Sequence, residues 1–202
     1  EEAVTLYQEA IRAAEGLSNP FALEMRARTN YQLALTQVIT GWPEKALQSA
    51  QSSLEQANLA QKINFQVRAY NMLASSNFYL GNYTNARSNG LAGLALAEQT
   101  QNHRIMGYLH TVIAQIALAT GNLQECDQHL QEASNLAERF SFSEVKAEVL
   151  RITGDVYRLL GCYTQAEEAY QQNIQYCFTD FTRLNNLLRL GLNYYYLGQV
   201  AE

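Results

Sequence analysis

The sequence predicts an all-α fold, a solenoid of antiparallel helical hairpins that stack side by side. Three observations lead to this prediction. Apolar residues make up 48% of the 202 residues and there are 2 prolines, a composition that suits packed helices. A glycine recurs about every forty residues in similar surroundings, and the residues before it follow a helical period. The recurring glycines are Gly41, Gly81, Gly121, Gly161 and Gly198.

The stretch before each glycine is predicted to be the first helix of a hairpin. In the fourth unit Leu150, Thr153, Tyr157 and Leu160 are spaced i, i+3, i+7 and i+10, which places them on one face of a helix. A strand would alternate apolar and polar residues instead. The glycine is predicted to end this helix, because a left-handed backbone costs glycine nothing.

The stretch after each glycine is predicted to be the second helix, and small residues mark where the two helices cross. Such residues on both helices let the two backbones approach closely. Gly90 and Gly93 lie inside the second helix of the second unit, where they indicate either a weak point or a site of close packing. The small residues are Ala34, Ala74, Ala114, Gly154 and Gly191 before the glycine, and Ala46, Ala86, Cys126 and Ala166 after it.

The recurring motif resembles the tetratricopeptide repeat, in particular its long variety of about 40 residues. Leu80-Gly81, Tyr83 and Ala86, preceded by Leu73-Ala74, match the family's small-Leu-Gly-aromatic-Ala pattern. The resemblance implies a right-handed superhelical α-solenoid whose first helices line a concave groove. We expect one array that is a fragment of a longer one. Its predicted parts are the second helix of a preceding repeat (1–19), repeats 1 to 4 (20–62, 63–102, 103–142 and 143–181) and the first helix of repeat 5 (182–202).

Charge and composition argue against several classes of partner. The net charge is −5 and the pI is near 5.3, so nucleic acid binding would need a local basic patch, and none is evident along the sequence. No run approaches the ~20 apolar residues of a membrane span. The 3 cysteines are an odd number without a CxxC pair, which favours a reducing, cytoplasmic compartment.

The sequence shows no catalytic or metal-binding pattern. His103, His110 and His129 are not in HExxH or HxH spacings. Neither a glycine-rich phosphate-binding motif nor a GxSxG nucleophile motif occurs. His110 continues an apolar stripe and is predicted to pack or to hydrogen-bond in the core. The chain is therefore predicted to be a non-enzyme without a cofactor or metal.

The candidate binding residues lie on the first helices, since the resemblance implies that these helices line the groove. Arg28 and Arg68 hold equivalent positions in adjacent hairpins, so they either pair with acidic groups of one extended ligand or stay solvated in local ion pairs. Arg151 and Asp155, spaced i, i+4, either face a ligand or satisfy each other. Tyr194 is predicted to lie in the core. The predicted peptide- or ligand-binding residues are Arg28, Tyr31, Arg68, Asn71, Phe78, Tyr79, Tyr108, Arg151, Asp155, Arg158, Tyr195 and Tyr196.

Two hypotheses of function follow, because a repeat fold provides a surface and does not define an activity. The first is a protein-interaction or scaffold module that binds a peptide or partner domain in the groove, as the sensor or regulatory part of a larger signalling protein. The alternative is a domain that senses a small ligand, a sugar or other inducer, in a bacterial transcription regulator or signal-transduction ATPase. Self-association through the repeat ends is a third possibility.

Overall fold

The computed structural model describes residues 2–177 and 180–201. Within these ranges the chain forms ten helices and contains no strand. None of the helices in this part of the chain is long and apolar enough to cross a bilayer. The helices are α1 (Glu2–Ala13), α2 (Pro20–Ile39), α3 (Pro43–Leu59), α4 (Ile63–Tyr79), α5 (Tyr83–Gln99), α6 (His103–Ala119), α7 (Leu123–Phe140), α8 (Ser143–Leu159), α9 (Tyr163–Ile174) and α10 (Asp180–Ala201).

Helices α2 to α9 form four hairpins, and three residues join the two helices of each hairpin. Each helix packs against the next one along the chain, and α4 and α6 each pack against the first helices on both sides. The first helices α2, α4, α6 and α8 thus pack side by side in one layer, which we call the first-helix layer. Their partners α3, α5, α7 and α9 form the second-helix layer. The predicted all-α solenoid of helical hairpins is confirmed.

Glycine closes the turn inside each of the four hairpins, as predicted. Gly41 has a φ of +81°, a backbone conformation that residues with a side chain rarely adopt. The N–H of Trp42 donates to the carbonyl of Gln37 at 2.8 Å and so satisfies an acceptor at the end of α2. The turns between hairpins reach the same conformation without glycine, as at Gln61 with a φ of +55°.

The fifth recurring glycine does not end a helix, and here the prediction was wrong. Gly198 lies within α10 and is not among the glycines of positive φ. A glycine permits a left-handed turn but does not enforce it. At the four other sites the second helix packs back against the first helix, and this packing holds the turn.

In the four hairpins small residues are buried where the helices cross, as predicted. The prediction was wrong for Gly191, which is exposed on α10. Ala34 and Ala74 on the first helices and Ala86 on the second are completely buried. In the fourth hairpin the first helix carries a smaller residue at this position, and a large side chain of the second helix fills the space. Gly154 takes the position of these alanines, and the ring of Tyr170 from α9 lies so close that a Cβ at Gly154 would be 2.7 Å from Tyr170 Cδ1.

Gly90 and Gly93 are sites of close packing, not weak points. Helix α5 is continuous through both residues. A Cβ on Gly93 would lie 2.9 Å from the Cβ of Tyr70 and 3.1 Å from Leu109 Cδ2. One on Gly90 would lie 3.1 Å from Ile113 Cγ1. The two glycines therefore let α5 approach both α4 and α6.

Candidate functional site

The candidate site is the face of the first-helix layer that carries the predicted binding residues. Equivalent positions of successive hairpins form rows across this face, because the first helices α4, α6 and α8 begin forty residues apart. One row is exposed or half-buried along its whole length, and the row beside it is buried up to α6. From α2 to α8, the first row is Arg28, Arg68, Tyr108 and Glu148, and the second row is Tyr31, Asn71, Thr111 and Arg151.

At the α2–α4 end of the face, Arg68 lies beside two aromatic rings. The guanidinium carbon of Arg68 is 5.4 Å from the ring centre of Tyr31 and 6.0 Å from that of Phe65, within the range of cation–π attraction. Burial raises the pKa of Tyr31, and the nearby charge of Arg68 opposes this rise. Arg28 is exposed. In the described ranges neither Arg28 nor Arg68 forms an ion pair with a carboxylate.

Tyr108 lies in the middle of the face, on α6. Burial raises its pKa well above the usual value, and the charges of Glu144 and Glu148 on α8 add to the rise. Tyr31 on α2 contributes as well. Side chains of α2 and α8 are therefore close enough to Tyr108 of α6 to affect its ionisation.

At the α8 end the side chains satisfy one another around Asp155, whose side chain is nearly buried. Tyr170 on α9 donates its hydroxyl to Asp155 Oδ1 at 2.8 Å, and Arg189 on α10 donates to Asp155 Oδ2 at 2.6 Å. Arg151 Nη1 lies 3.4 Å from Oδ2, and Arg158 Nη2 lies 3.8 Å from Oδ1. This Asp155 network joins α8, α9 and α10.

Arg151 has a second carboxylate partner. Its Nη2 is 2.7 Å from Glu148 Oε2, and its Nε is 3.0 Å from the same oxygen. Burial lowers the pKa of Arg151, but the charges of Glu148, Tyr79 and Asp155 outweigh it and raise the pKa above its ordinary value. Of the two readings of the Arg151–Asp155 spacing, the structure shows internal ion pairing, extended by residues of other helices.

Helix α4 also carries Asn71, Phe78 and Tyr79. Asn71 is buried, and its Oδ1 has no hydrogen-bond partner in the described part of the chain. Phe78 is half-buried and packs against the core around Ala74. Tyr79 meets the Phe78 ring edge-on at 5.3 Å and is 57% exposed, which leaves its ring free for contact with a ligand.

The tyrosines of α10 lie outside the core. Tyr196 stacks on Tyr163 with ring centres 6.1 Å apart, and Tyr195 meets Tyr196 edge-on at 5.6 Å. Tyr194 was predicted to be in the core, and this was wrong, because it is 47% exposed and donates to Glu167 at 2.6 Å. Asn193 takes the buried position instead and donates to the carbonyl of Tyr163 at 2.7 Å.

The two layers carry charges of opposite sign. Helices α2, α4, α6 and α8 contain seven basic and four acidic residues, whereas α3, α5, α7 and α9 contain three basic and nine acidic residues. The overall charge of −5 hides this difference. Reading along the sequence missed it because the basic residues are scattered over helices that begin forty residues apart. Adding the charges helix by helix would have found it.

Two of the three histidines contact each other, and the three cysteines are free thiols. The Nδ1 atoms of His110 and His129 lie 2.8 Å apart, so one ring donates a hydrogen bond to the other. His110 is buried, as predicted for a core residue. Among the described residues no group of three or more His, Cys, Asp or Glu side chains is placed to hold a metal ion. Cys126 is buried on α7.

An open cleft of about 300 Å³ lies between α7 and α8. Apolar and polar side chains both line it, and no predicted binding residue is among them. A cleft of this size is at the lower end of the range for small-ligand pockets. The lining residues are Leu123, Cys126, Asp127, Leu130, Gln131, Ser134, Val149, Thr153, Val156 and Tyr157.

Comparison with known protein families identifies the repeats. Residues 105–177 match the family model of the tetratricopeptide repeat. The resemblance predicted from the glycine motif is thus confirmed, and residues 105–177 carry repeats of this family. Its assignment to the long variety of about 40 residues stays a prediction. No curated protein matches the sequence significantly.

Solved structures share the fold at low sequence identity. BtubC (BKLC) from P. vanneervenii is 15% identical, with a TM-score of 0.71 over 98% of this chain and 84% of that one. A Signal Transduction ATPase with Numerous Domains (STAND) protein with a tetratricopeptide repeat sensor, from Pyrococcus horikoshii, is 19% identical. Its TM-score is 0.64, and the match covers 92% of this chain and 28% of that one. These similarities concern the fold.

Proposed function

We propose that this chain is a non-catalytic interaction module that binds an extended peptide on the exposed face of the first-helix layer. Tetratricopeptide repeats generally mediate protein–protein interactions, and this supports the proposal. The observation that carries it is the α2–α4 end of the face, where Arg28, Arg68 and Tyr79 stay accessible and without internal ion pairs in the described ranges. Three free cysteines agree with the reducing, cytoplasmic compartment that we also propose.

The face suits an extended peptide better than a compact ligand. Its accessible groups are spread over α2 and α4, and the exposed ring of Tyr79 lies at the C-terminal end of α4. Aromatic and arginine side chains are the residues that most often dominate binding energy at protein interfaces. The similarity to a protein with a tetratricopeptide repeat sensor supports a sensing or regulatory role within a larger signalling protein.

Selection of random dodecapeptides displayed on phage tests this function. The peptides that the wild-type chain enriches should bind the Tyr79→Ala variant more weakly by about tenfold, the effect of losing one interfacial aromatic anchor. The matched control is Trp42→Ala, because Trp42 is 55% exposed but lies in the turn before α3. Enriched peptides that bind both variants equally, or no enriched peptide at all, would contradict the proposal.

The small-ligand sensor is the second candidate, and the cleft between α7 and α8 is the observation that favours it. A sugar or similar inducer in this cleft would contact Asp127, Gln131 and Tyr157. The measurement is a thermal-shift screen of sugars against the wild-type chain and a Thr153→Trp variant that fills the cleft. A melting temperature raised by a sugar in the wild type alone would support this candidate, and no shift with any sugar would argue against it.

A further inference from the structure

We propose that the peptide bound by the first-helix layer is acidic, and that its carboxylates pair with Arg28 and Arg68. This inference rests on the proposed function and adds the chemistry of the ligand. It starts from the opposite charges of the two layers. The first-helix layer has an excess of three basic residues although the chain as a whole has a charge of −5. An acidic segment is therefore attracted to this layer and repelled by the other one.

The excess charge is concentrated at the α2–α4 end, because every acidic side chain of the layer already has a basic partner. Glu24 pairs with Lys62 at 2.7 Å, and Glu144 pairs with Arg104 at 2.9 Å. Glu148 and Asp155 pair with the arginines of α8. Within the described ranges, Arg26, Arg28 and Arg68 are the basic residues of the layer that form no ion pair, since Lys146 binds Glu138 of α7.

Of these three arginines, Arg28 and Arg68 are suited to bind a ligand together. They hold equivalent positions on α2 and α4, two helices in direct contact. Neighbouring packed helices have axes about 8–10 Å apart. Side chains at i and i+2 of an extended peptide are about 7 Å apart, so two carboxylates at that spacing can each reach one guanidinium. Arg26 differs, because its Nε is buried.

The aromatic surroundings hold Arg68 ready for a carboxylate. Its guanidinium lies against the rings of Tyr31 and Phe65, which restricts the motion of its side chain while leaving it half-exposed. A side chain that is already ordered loses less conformational entropy when it binds.

The experiment extends the phage selection to the charge of the peptides. We expect the peptides enriched by the wild-type chain to contain more Asp and Glu than the starting library, with a preferred spacing of i, i+2. A fluorescein-labelled consensus peptide should bind the Arg28→Ala, Arg68→Ala double variant about tenfold more weakly, because two charge-assisted contacts are lost. Its affinity should also fall as NaCl is raised from about 50 to about 500 mM.

The control variant is Lys45→Ala, Arg139→Ala, which changes the net charge equally but removes two exposed residues of the second-helix layer. It should bind the peptide as the wild type does. Enriched peptides without acidic residues would overturn the acidic ligand while leaving the groove function intact if they still require Tyr79. The absence of any enriched peptide would remove both proposals.

Two other occupants give distinct results. A labelled single-stranded dodecanucleotide that competes with the peptide and binds more tightly would overturn a peptide in favour of nucleic acid. A second copy of the chain, with its acidic second-helix layer, would raise the mass with concentration in multi-angle light scattering. A concentration-dependent mass that the arginine double variant abolishes would likewise overturn the proposal.

Discussion

The arginines of α2 and α4 and those of α8 belong to the same layer but have different surroundings. Arg28 and Arg68 form no ion pair among the described residues, and Arg68 rests on aromatic rings. Arg151 and Arg158 lie around Asp155 with Arg189 of α10. At the α8 end the arginines are therefore held by carboxylates, whereas at the α2–α4 end Arg28 and Arg68 have no carboxylate partner among the described residues.

This difference shows that the surroundings of an arginine depend on the charges of its own helix. Arg151 follows Tyr31 and Asn71 in the same row, but only α8 has carboxylates at both the i−3 and i+4 positions, at Glu148 and Asp155. Helix α4 contains no acidic residue. The charges near an arginine decide whether it is structural or free, and those charges vary from one hairpin to the next.

The largest expected effect comes from removing the carboxylate at the centre of the Asp155 network. Asp155→Ala leaves three arginines and the hydroxyl of Tyr170 without their shared acceptor, and should lower the free energy of unfolding by about 3 kcal/mol. Urea denaturation followed by circular dichroism measures this. Asp127→Ala on the exposed surface of α7 is the control. If Asp155→Ala lost no more unfolding free energy than Asp127→Ala, the account would be contradicted.

The next effect concerns the packing that places Tyr170 in the network. Gly154→Ala puts a methyl group against the Tyr170 ring and should cost about 2 kcal/mol of unfolding free energy, as overpacked cores do. Gly41→Ala meets open space but keeps a φ of +81°, so it should cost about 1 kcal/mol. Equal losses in thermal denaturation would show that backbone conformation, and not the Tyr170 contact, limits both sites.

A pH dependence should come from the His110–His129 pair, which joins α6 to α7. Burial and the neighbouring His129 lower the pKa of His110 to about 4, and burial lowers the pKa of His129, where Glu125 and Glu132 act against Arg87. The unfolded chain therefore binds more protons, so stability should fall by roughly 1–3 kcal/mol as the pH drops from about 6.5 toward 4.

The control for this prediction is His110→Leu, since leucine occupies the equivalent position 150 in the fourth repeat. The variant should lose less stability than the wild type over the same pH range, because one depressed pKa is gone. Denaturant midpoints at several pH values measure the difference. Parallel curves for the two proteins would show that carboxylates, and not the histidine pair, set the acid response.

The smallest effect is expected at the arginines that we assign to a ligand. Arg28 is exposed and forms no ion pair in the described ranges. The unfolding free energy of the Arg28→Ala variant should therefore stay within about 0.5 kcal/mol of the wild type. Arg68→Ala loses a cation–π contact and should cost under about 1 kcal/mol. A loss as large as that of Asp155→Ala would assign these arginines to the fold.

The sequence was sufficient to predict the hairpins, because each relies on local signals. Gly41 marks the turn, and Ala34 and Ala46 mark the helix crossing within a span of thirteen residues. The short-range pairing of Arg151 with Asp155 was visible for the same reason. The continuation of α10 through Gly198 could not be predicted, because the glycine motif does not determine the helix packing that holds the other turns.

The rest of the candidate site depends on contacts between distant parts of the chain. Arg189 reaches Asp155 from another helix, and Tyr170 reaches it across the fourth hairpin. The stacking of Arg68 on Tyr31 joins two hairpins as well. No short-range spacing in the sequence predicts these contacts. The charge difference between the layers could have been found by assigning each charged residue to its helix.

A crystal structure of the chain bound to its selected acidic peptide would test the central claim most directly. We expect the peptide to lie on the first-helix layer with carboxylate oxygens within about 3 Å of the guanidinium groups of Arg28 and Arg68. The Asp155 network should be unchanged in the complex. A peptide bound to the second-helix layer, or in the cleft between α7 and α8, would contradict the account.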